Sequence, residues 1–289
     1  MVFLVKMRWI FFLVIIFAMI IAGHAQKNPF IVVTTKATPL PSISPAPSTS
    51  PSAAPTKVLN RGEMSNLYGP CIELPIILYH HIEPMSVAQQ KKHTSLNIDS
   101  EVFRKQMEYL KQKGYSSVTP ADLVAFFDEG MQLPSKPVMI TFDDGYDDNG
   151  EYAYEILKQV GIKGVIFLPT GLMQNEGYLR WEKIMEMNSS GMITFGNHTW
   201  SHMNAGREKE LVKKEISTAD IQLGERGLNV TKVFAYPYGE QNGYTREYLE
   251  EIGYKLGFTT KNGRILCKGQ RLTLPRVRVN GGDMTYYGF

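Results

Sequence analysis

Short apolar runs alternate with amphipathic stretches from about residue 74 to the C-terminal end of the chain. The apolar runs have the length of buried strands. We predict strands at residues 75–79, 138–142, 164–168, 192–195, 233–236, 256–259 and 276–279. Because predicted helices separate these strands, the pattern indicates a parallel sheet with crossover helices, which is an α/β fold.

The stretches between the strands carry the start and stop signals of helices. Asp99 or Ser100 caps a helix that ends at Gly114. Thr119 precedes Pro120, and proline is favoured at the first helical position. Further helices are predicted at residues 151–160, 181–187, 207–226 and 244–252.

The N-terminal segment has the composition of an export signal. Lys6 and Arg8 precede an uncharged, mostly apolar run at residues 9–22, and the small residues Gly23 and Ala25 suit signal peptidase. A membrane span needs about 20 apolar residues, so this run alone is short for one. Residues 2–5 lengthen it, which leaves an uncleaved anchor as the alternative. We predict a signal peptide or membrane anchor at residues 1–25, with the remainder secreted or held at the cell surface.

The next segment is rich in proline, serine, threonine and alanine, most strongly between Thr34 and Thr56. Such a sequence buries too little apolar surface to offset the entropy lost on ordering. We predict a disordered linker at residues 26–67 and one folded domain at residues 68–289.

Length and charge limit the classes of function. A chain of 289 residues suits one domain of about 200–250 residues plus the extra segments. The formal net charge is +3, or +1 without Lys6 and Arg8, and no basic tail or stripe indicates nucleic acid. We expect a monomer that contacts a membrane only through an uncleaved N-terminal segment, although nothing in the sequence determines the oligomeric state.

Cys71 and Cys267 are the only cysteines. Export would permit a disulfide, but the sequence does not give the distance between the two residues. Two separate buried thiols are slightly favoured over a bridge.

Polar residues follow several predicted strands directly. His80, Asp143, Asp144, His198 and Tyr238 all stand at or near the carboxyl end of a strand. In α/β folds these ends are where functional sites are built. These positions predict a functional site at the edge of the sheet where the carboxyl ends of the strands lie.

Two short patterns supply candidate chemistry. Asp143 and Asp144 alone fit a solvated turn, yet adjacent side chains diverge, so one carboxylate can bind a metal while the other acts as a base. His198 and His202 are four residues apart, and on a helical turn they would face one cation. The alternative is a pair of surface histidines in a loop. Two histidines and a carboxylate together predict a metal site that polarises water.

The sequences Thr141-Phe-Asp-Asp-Gly145, His198-Thr-Trp-Ser-His202 and Tyr236-Pro-Tyr-Gly239 resemble three successive motifs of the polysaccharide deacetylases, the NodB-homology or carbohydrate esterase family 4 group. The resemblance covers residues 74–279. It implies a distorted (β/α) barrel of about seven parallel strands. It also implies a divalent metal, commonly Zn²⁺, with Co²⁺, Ni²⁺ or Fe²⁺ as alternatives.

The resemblance assigns a role to each motif residue. It makes Asp144, His198 and His202 the metal ligands and Asp143 the general base that takes a proton from the attacking water. The backbone N–H of Tyr238 would donate to the developing oxyanion. Leu274, Trp200 and Tyr238 either line an acetyl pocket or pack in the core.

Two departures from the family pattern redirect the search. The arginine that usually precedes the third motif is absent, and Arg276 is the candidate substitute, with a surface arginine as the alternative. No histidine follows His202, so the usual C-terminal acid is missing. His80 is the candidate general acid, because an imidazole titrates near neutral pH, whereas the adjacent His81 would point elsewhere and is expected to be structural. An early Tyr-His resembles the branch that deacetylates poly-β-1,6-N-acetylglucosamine.

The sequence therefore predicts a hydrolase that cleaves the carbon–nitrogen bond of N-acetyl groups on an extracellular or cell-wall glycan. Poly-N-acetylglucosamine is the first choice of substrate, and peptidoglycan or a chitin-like chain the second. The alternatives are an O-acetyl xylan esterase, an inactive glycan-binding module and a purely structural wall protein.

Overall fold

The computed structural model describes residues 59–289. The predicted signal or anchor segment and most of the predicted linker lie outside the described residues. Within residues 59–289, no helix combines the length and the apolar character that crossing a membrane requires.

Most of the strands form one closed parallel barrel. In chain order, the strands of the described residues are β1 (Cys71–Glu73), β2 (Ile76–Tyr79), β3 (His81–Ile82), β4 (Asn97–Ile98), β5 (Ser116–Ser117), β6 (Pro137–Phe142), β7 (Gly164–Leu168), β8 (Ile193–Asn197), β9 (Val233–Ala235), β10 (Leu256–Asn262), β11 (Ile265–Cys267) and β12 (Leu274–Arg278). Strands β2, β6, β7, β8, β9, β10 and β12 pair in this order, and β12 pairs with β2 to close the ring. The predicted (β/α) barrel of about seven parallel strands is confirmed.

Helices cover the outside of the barrel. The α-helices of the described residues are α1 (Arg61–Tyr68), α2 (Met85–Lys91), α3 (Ser100–Gln112), α4 (Pro120–Glu129), α5 (Tyr154–Val160), α6 (Trp181–Ser189), α7 (Lys209–Gly224) and α8 (Gly243–Glu251). The capping signals act as predicted. The Asp99 carboxylate accepts from the N–H of Glu101 at the start of α3, and Thr119 forms a capping box ahead of Pro120 in α4.

The barrel interior changes from apolar to polar along its axis. Met139 and Leu274 belong to one buried apolar cluster toward the amino ends of the strands. Two residues further along the same strands stand Thr141 and Arg276, and residues two apart in a strand face the same side. Asp143 continues the series at the end of β6. The polar end of the barrel is therefore where a site can form.

Cys71 and Cys267 form a disulfide, so the slightly favoured prediction of two separate thiols is wrong. β1 pairs antiparallel with β11 and places the two cysteines opposite each other in register. This two-stranded sheet lies outside the barrel, and each of its strands is too short to be recognised from sequence.

Helix α1 falls within the residues assigned to the linker. Asn60 and Glu63 form a capping box that starts it. The helix buries none of its residues, which is why its sequence lacks the apolar spacing of the other helices. Ordered structure therefore begins at least seven residues before the predicted boundary at residue 68.

Candidate active site

Several strand ends at one end of the barrel, here called the barrel mouth, carry the predicted site residues. His80 follows β2, Asp143 follows β6, His198 follows β8, and Tyr238 lies close behind β9. Because these strands are parallel, their carboxyl ends lie on one side. Arg276 reaches this side from within β12. All of the sequence-predicted site residues are thus brought to the barrel mouth.

The main chain at the barrel mouth takes left-handed conformations that residues other than glycine rarely adopt. The φ angle is +73° at Asp144, +62° at His202 and +62° at Tyr238. Each such residue costs roughly 1–3 kcal/mol, which the surrounding contacts offset. Gly145 also has a positive φ, and a Cβ there would lie 2.7 Å from Leu168 Cδ2. Three of the candidate site residues thus hold left-handed main-chain conformations.

Asp144, His198 and His202, here called the barrel-mouth triad, converge on one point. Asp144 Oδ1 lies 3.3 Å from His198 Nε2 and 3.0 Å from His202 Nε2. Ligand atoms about 2.0–2.2 Å from a tetrahedral zinc ion are separated from each other by roughly 3.3–3.6 Å. The three predicted ligands therefore already have nearly the spacing of a metal site.

Hydrogen bonding in the triad leaves acceptor atoms facing each other. His198 Nδ1 lies 2.7 Å from the Ala235 carbonyl oxygen, and because a carbonyl only accepts, Nδ1 carries the hydrogen. In neutral His198, Nε2 is then an acceptor. Asp144 Oδ1 is buried and accepts no hydrogen bond from residues 59–289. Two acceptors this close repel unless a cation lies between them, so the residues fit a divalent metal.

The pKa values of the triad show what competes with a metal. Burial raises the pKa of the Asp144 carboxyl, but His198 and His202 outweigh this and hold it far below its usual range. Burial lowers the pKa of His198, and Asp143 and Asp144 reverse this into a net increase. A proton on His198 would occupy the same Nε2 lone pair as a metal, so metal binding should weaken as the pH falls.

The two histidines of the triad are not carried on a helical turn, contrary to one expectation from their spacing. Residues 198–202 form an irregular loop after β8. Positive φ angles at Thr199 and His202 turn the chain back on itself. The loop is held by Glu215 of α7, whose carboxylate accepts from the N–H groups of Trp200 and Ser201. The four-residue spacing of the two histidines therefore brings them together through a tight loop and not through a helical turn.

Asp143 is paired with Arg276 inside the barrel. Arg276 Nη1 donates to Asp143 Oδ1 at 2.8 Å, and Nη2 donates to Oδ2 at 2.6 Å. Arg276 is 1% exposed, which excludes the alternative of a surface arginine. Burial raises the pKa of Asp143, but Arg276 overcomes this and lowers it. The carboxylate is thus ionised at neutral pH and held in a fixed orientation, as a general base requires; its role remains a prediction.

His80 lies at the barrel mouth, half-buried and under the influence of both carboxylates. Burial lowers the pKa of its imidazole, and although Asp143 and Asp144 oppose this, the net shift is downward. The Asn149 side-chain amide donates to the His80 carbonyl oxygen at 2.7 Å and so fixes the main chain. A lowered pKa reduces the protonated fraction at neutral pH but makes that form a stronger acid.

Tyr238 lies close behind β9, and its backbone N–H is the predicted oxyanion donor. The residue is the second of a short 3₁₀ turn that begins at Pro237, and the first N–H groups of a helical turn have no partner within it. Within residues 59–289 this N–H donates no hydrogen bond. The exposed Tyr238 ring packs edge-on against His202, with centroids 4.8 Å apart.

Three residues were predicted either to line an acetyl pocket or to pack in the core, and core packing explains one of them. Leu274 is completely buried in the apolar cluster of the barrel, so core packing explains it. Trp200 is 42% exposed and Tyr238 is 64% exposed, so core packing explains neither. Sequence reasoning missed Tyr146, whose pKa is raised by burial and by Asp144, and Tyr178, whose ring lies 5.4 Å from that of Tyr146. Tyr146 stands two residues after Asp144, which was the available signal.

Residues 130–257 match the model of the family described as polysaccharide deacetylase. YxkH of Bacillus subtilis (strain 168), whose name places it among the polysaccharide deacetylases, is 30% identical over 211 residues, covering 73% of this chain and 72% of that protein. The chain belongs to the polysaccharide deacetylase family. The predicted family and enzyme class are confirmed.

More distant relatives of this deacetylase are named poly-beta-1,6-N-acetyl-D-glucosamine N-deacetylase. The protein from Escherichia coli (strain K12) is 23% identical over 70% of this chain, which spans only 36% of that longer protein. The protein from Staphylococcus aureus (strain MSSA476) is 23% identical over 67% of this chain and 71% of its own length. The structure of the Streptococcus pyogenes deacetylase PplD in complex with acetate superposes with a TM-score of 0.67 and 27% identity, over 73% of this chain and 94% of that one.

The family match contains the triad, Asp143 and Tyr238, but His80 and Arg276 lie outside residues 130–257. His80 follows β2 and Arg276 lies on β12, and these two strands pair to close the barrel. Their prediction as catalytic acid and base partner therefore depends on the sequence resemblance and the site geometry and not on this family match.

Proposed function

We propose that this deacetylase is a metal-dependent hydrolase that removes N-acetyl groups from an extracellular glycan. The observation that carries the proposal is the division of labour between two adjacent carboxylates. Asp144 faces two imidazole nitrogens, while Asp143 is held by the two terminal nitrogens, Nη1 and Nη2, of one buried guanidinium. The first arrangement suits a metal and the second suits a base.

A divalent cation held by Asp144, His198 and His202 would polarise the acetyl carbonyl and make water more acidic. Asp143, kept ionised by Arg276, accepts the proton of the attacking water. The N–H of Tyr238 donates to the oxygen that becomes negative. His80 donates a proton to the departing nitrogen, so that the sugar leaves as an amine and acetate is released.

The preferred substrate is poly-β-1,6-N-acetylglucosamine. Two kinds of support favour it: relatives named for that activity, and a candidate acid that follows the first barrel strand. Action outside the cell is supported by the Cys71–Cys267 disulfide, since disulfides persist in oxidising compartments.

The deciding experiment measures acetate release from a panel of glycans: poly-β-1,6-N-acetylglucosamine, peptidoglycan, chitin oligomers and acetylated xylan. Each glycan is tested with the metal-loaded enzyme and again with chelator. We expect release to be fastest from the β-1,6-linked polymer, to stop with chelator and to return when Zn²⁺ is restored.

Two other outcomes would redirect the proposal. Release from xylan alone would make the protein an O-acetyl esterase. No release from any glycan, with bound metal demonstrated by elemental analysis, would favour a glycan-binding module.

A further inference from the structure

A second group of metal-ligating side chains lies between β2 and α3, apart from the triad. His81, Glu83 and His93, here called the loop cluster, bring one ligand atom each within 4.8 Å of one another. The proposed hydrolysis uses none of the three. His81 belongs to β3, Glu83 follows β3, and His93 follows α2.

His81 has the hydrogen bonding of a metal ligand. Its Nδ1 lies 2.5 Å from Asp148 Oδ2, and Asp148 is completely buried. Asp148 also accepts from the Ile82 N–H at 3.0 Å and from Asn149 at 2.8 Å, so its position is fixed. A carboxylate that takes the Nδ1 hydrogen leaves Nε2 as the free donor atom, which is the usual support for a histidine that binds a metal.

Glu83 is buried, and its carboxylate is ion-paired with Lys91 but lacks a well-formed hydrogen bond within residues 59–289. The residue is 0% exposed, and neither carboxylate oxygen accepts a well-formed hydrogen bond from the described part of the chain. Asn97 fixes its main chain by bonding both its N–H and its carbonyl oxygen. An ionised carboxylate in such a place needs a cation. Lys91 Nζ, at 3.0 Å from Oε2, is the cationic side chain nearest to it, and His93 Nδ1 lies 3.3 Å from Oε1.

We propose that the loop cluster binds a divalent transition-metal cation through His81 Nε2, the Glu83 carboxylate and the His93 imidazole, and that the cation displaces the Lys91 ammonium. Two imidazoles and one carboxylate suit Zn²⁺, Co²⁺ or Ni²⁺ better than Ca²⁺ or Mg²⁺. The 4.8 Å span exceeds the roughly 3.3–3.6 Å between ligands of a bound zinc ion. Binding therefore draws the cluster together, and His93, its most exposed member, moves furthest.

The consequence of such a site is to hold the segment that carries His80. His81 follows His80 directly, and its ring stacks on Tyr146 with centroids 3.6 Å apart. Asp148 joins His81 to the segment that follows the Asp143-Asp144 pair. The loop-cluster metal is thus structural and positions the proposed acid, a consequence that depends on the proposed function, whereas metal binding itself does not.

The test counts metal ions on the full chain by elemental analysis after loading with Zn²⁺ and removing unbound metal. We expect about two equivalents per chain for the wild type and about one for either His93→Ala or His198→Ala. The double variant should hold none. One equivalent in the wild type that His93→Ala leaves unchanged would overturn the proposal.

Two further variants guard against misfolding. Glu83→Gln keeps the shape of the buried side chain and should also lose one equivalent. Lys91→Gln removes the competing ammonium, so the dissociation constant of the second Zn²⁺ should fall by about tenfold or more. If the group served only as an ion pair, Lys91→Gln would destabilise the fold without tightening Zn²⁺ binding. Titration with Co²⁺, followed by its visible absorption, measures metal binding at each site. This measurement does not depend on acetate release.

Since metal counting needs no substrate, the two proposals can fail separately. Two bound equivalents without acetate release would leave the loop-cluster site standing and remove the proposed activity. Acetate release from a chain that holds a single ion would do the reverse.

Discussion

The barrel-mouth triad and the loop cluster contain the same ligands, two imidazoles and one carboxylate, but differ in how the carboxylate charge is balanced. Glu83 has the Lys91 ammonium 3.0 Å away. Among residues 59–289, Asp144 pairs with His198 and His202 but with no lysine or arginine, whereas the guanidinium of Arg276 is bound to Asp143. The identity of the ligands alone therefore does not determine which of two sites binds a metal more tightly. A carboxylate without a built-in cation favours the metal more strongly, so the triad should bind the tighter ion.

The two groups also differ in what holds them. The triad residues lie just beyond barrel strands that are paired on both sides, and Glu215 of α7 holds the loop that carries the two histidines. The loop cluster is supported by the two-residue strands β3 and β4 and by Asp148. Rigid supports preserve a catalytic geometry, whereas a looser support suits a cation that completes a fold.

The largest expected effect is that of His198→Ala. Removing this ligand should abolish both binding of the tighter metal ion and acetate release. Without the metal, nothing polarises the acetyl carbonyl for attack by water. Elemental analysis and an acetate assay measure the two losses. His93→Ala, at the loop cluster, is the matched control and should retain the triad metal. Full activity in His198→Ala would contradict the assignment of the triad.

Asp143→Asn should separate chemistry from metal binding. We expect kcat to fall by about 10²–10⁴-fold, the usual contribution of a general base, with metal content unchanged since Asp143 is not a ligand. Steady-state kinetics and elemental analysis on the same preparation provide the check. A variant that keeps its rate would require another base.

His80→Ala tests the unusual acid. The loss in kcat should be within the same range of about 10²–10⁴-fold, and activity should be less impaired on substrates whose leaving group needs no proton. Comparing an N-acetyl glycan with an activated acetyl ester shows this difference. Equal losses on both substrates would point to a structural role for His80.

Arg276→Met should reduce stability as well as rate. Asp143 would remain buried without its partner, which costs about 3–5 kcal/mol of unfolding free energy, and its pKa would rise because the strongest group that opposes burial is lost. Denaturant unfolding measures the first effect, and the acidic limb of the pH–rate profile, shifted to higher pH, measures the second. The control is Arg278→Met, since Arg278 is exposed on the same strand. Equal stability of the two variants would show that the buried pair contributes little.

The smallest expected effect is that of His93→Ala on turnover. If the loop-cluster metal only positions His80, kcat should fall by no more than about tenfold while the Michaelis constant stays near its original value. Steady-state kinetics with saturating Zn²⁺ provides the measurement. A loss as large as that of His198→Ala would show that the two sites act in one catalytic centre.

Much of the barrel could be predicted because its strands are buried on both sides and appear as continuous apolar runs. Strand β7 (Gly164–Leu168) is fully buried and was predicted at its observed bounds. Strands β3 and β4 could not be predicted, because two residues carry no periodicity and their pairing is set by tertiary contacts. The disulfide was missed for the same reason: 196 residues separate its cysteines.

Some site residues could likewise be predicted from local patterns, whereas others are brought together only by the fold. The Asp-Asp pair and the two histidines four residues apart are local patterns, and the structure brings them together as the sequence indicated. The contact of Arg276 with Asp143 spans 133 residues and was predicted only as a candidate. Glu83 and Asp148 carried no signal at all, since an isolated acidic residue is most often solvated and only the fold buries these two.

The pairing of β12 with β2 makes the chain's linear order a poor guide to catalytic position. In a closed ring the first and last strands are neighbours, so a side chain after β2 and one on β12 approach the same centre from adjacent places. His80 and Arg276 are separated along most of the described chain, yet they lie at neighbouring strands of the ring. A circularly permuted chain cut elsewhere in the ring would preserve the catalytic neighbourhood, and searches for related enzymes should compare positions around the barrel rather than along the sequence.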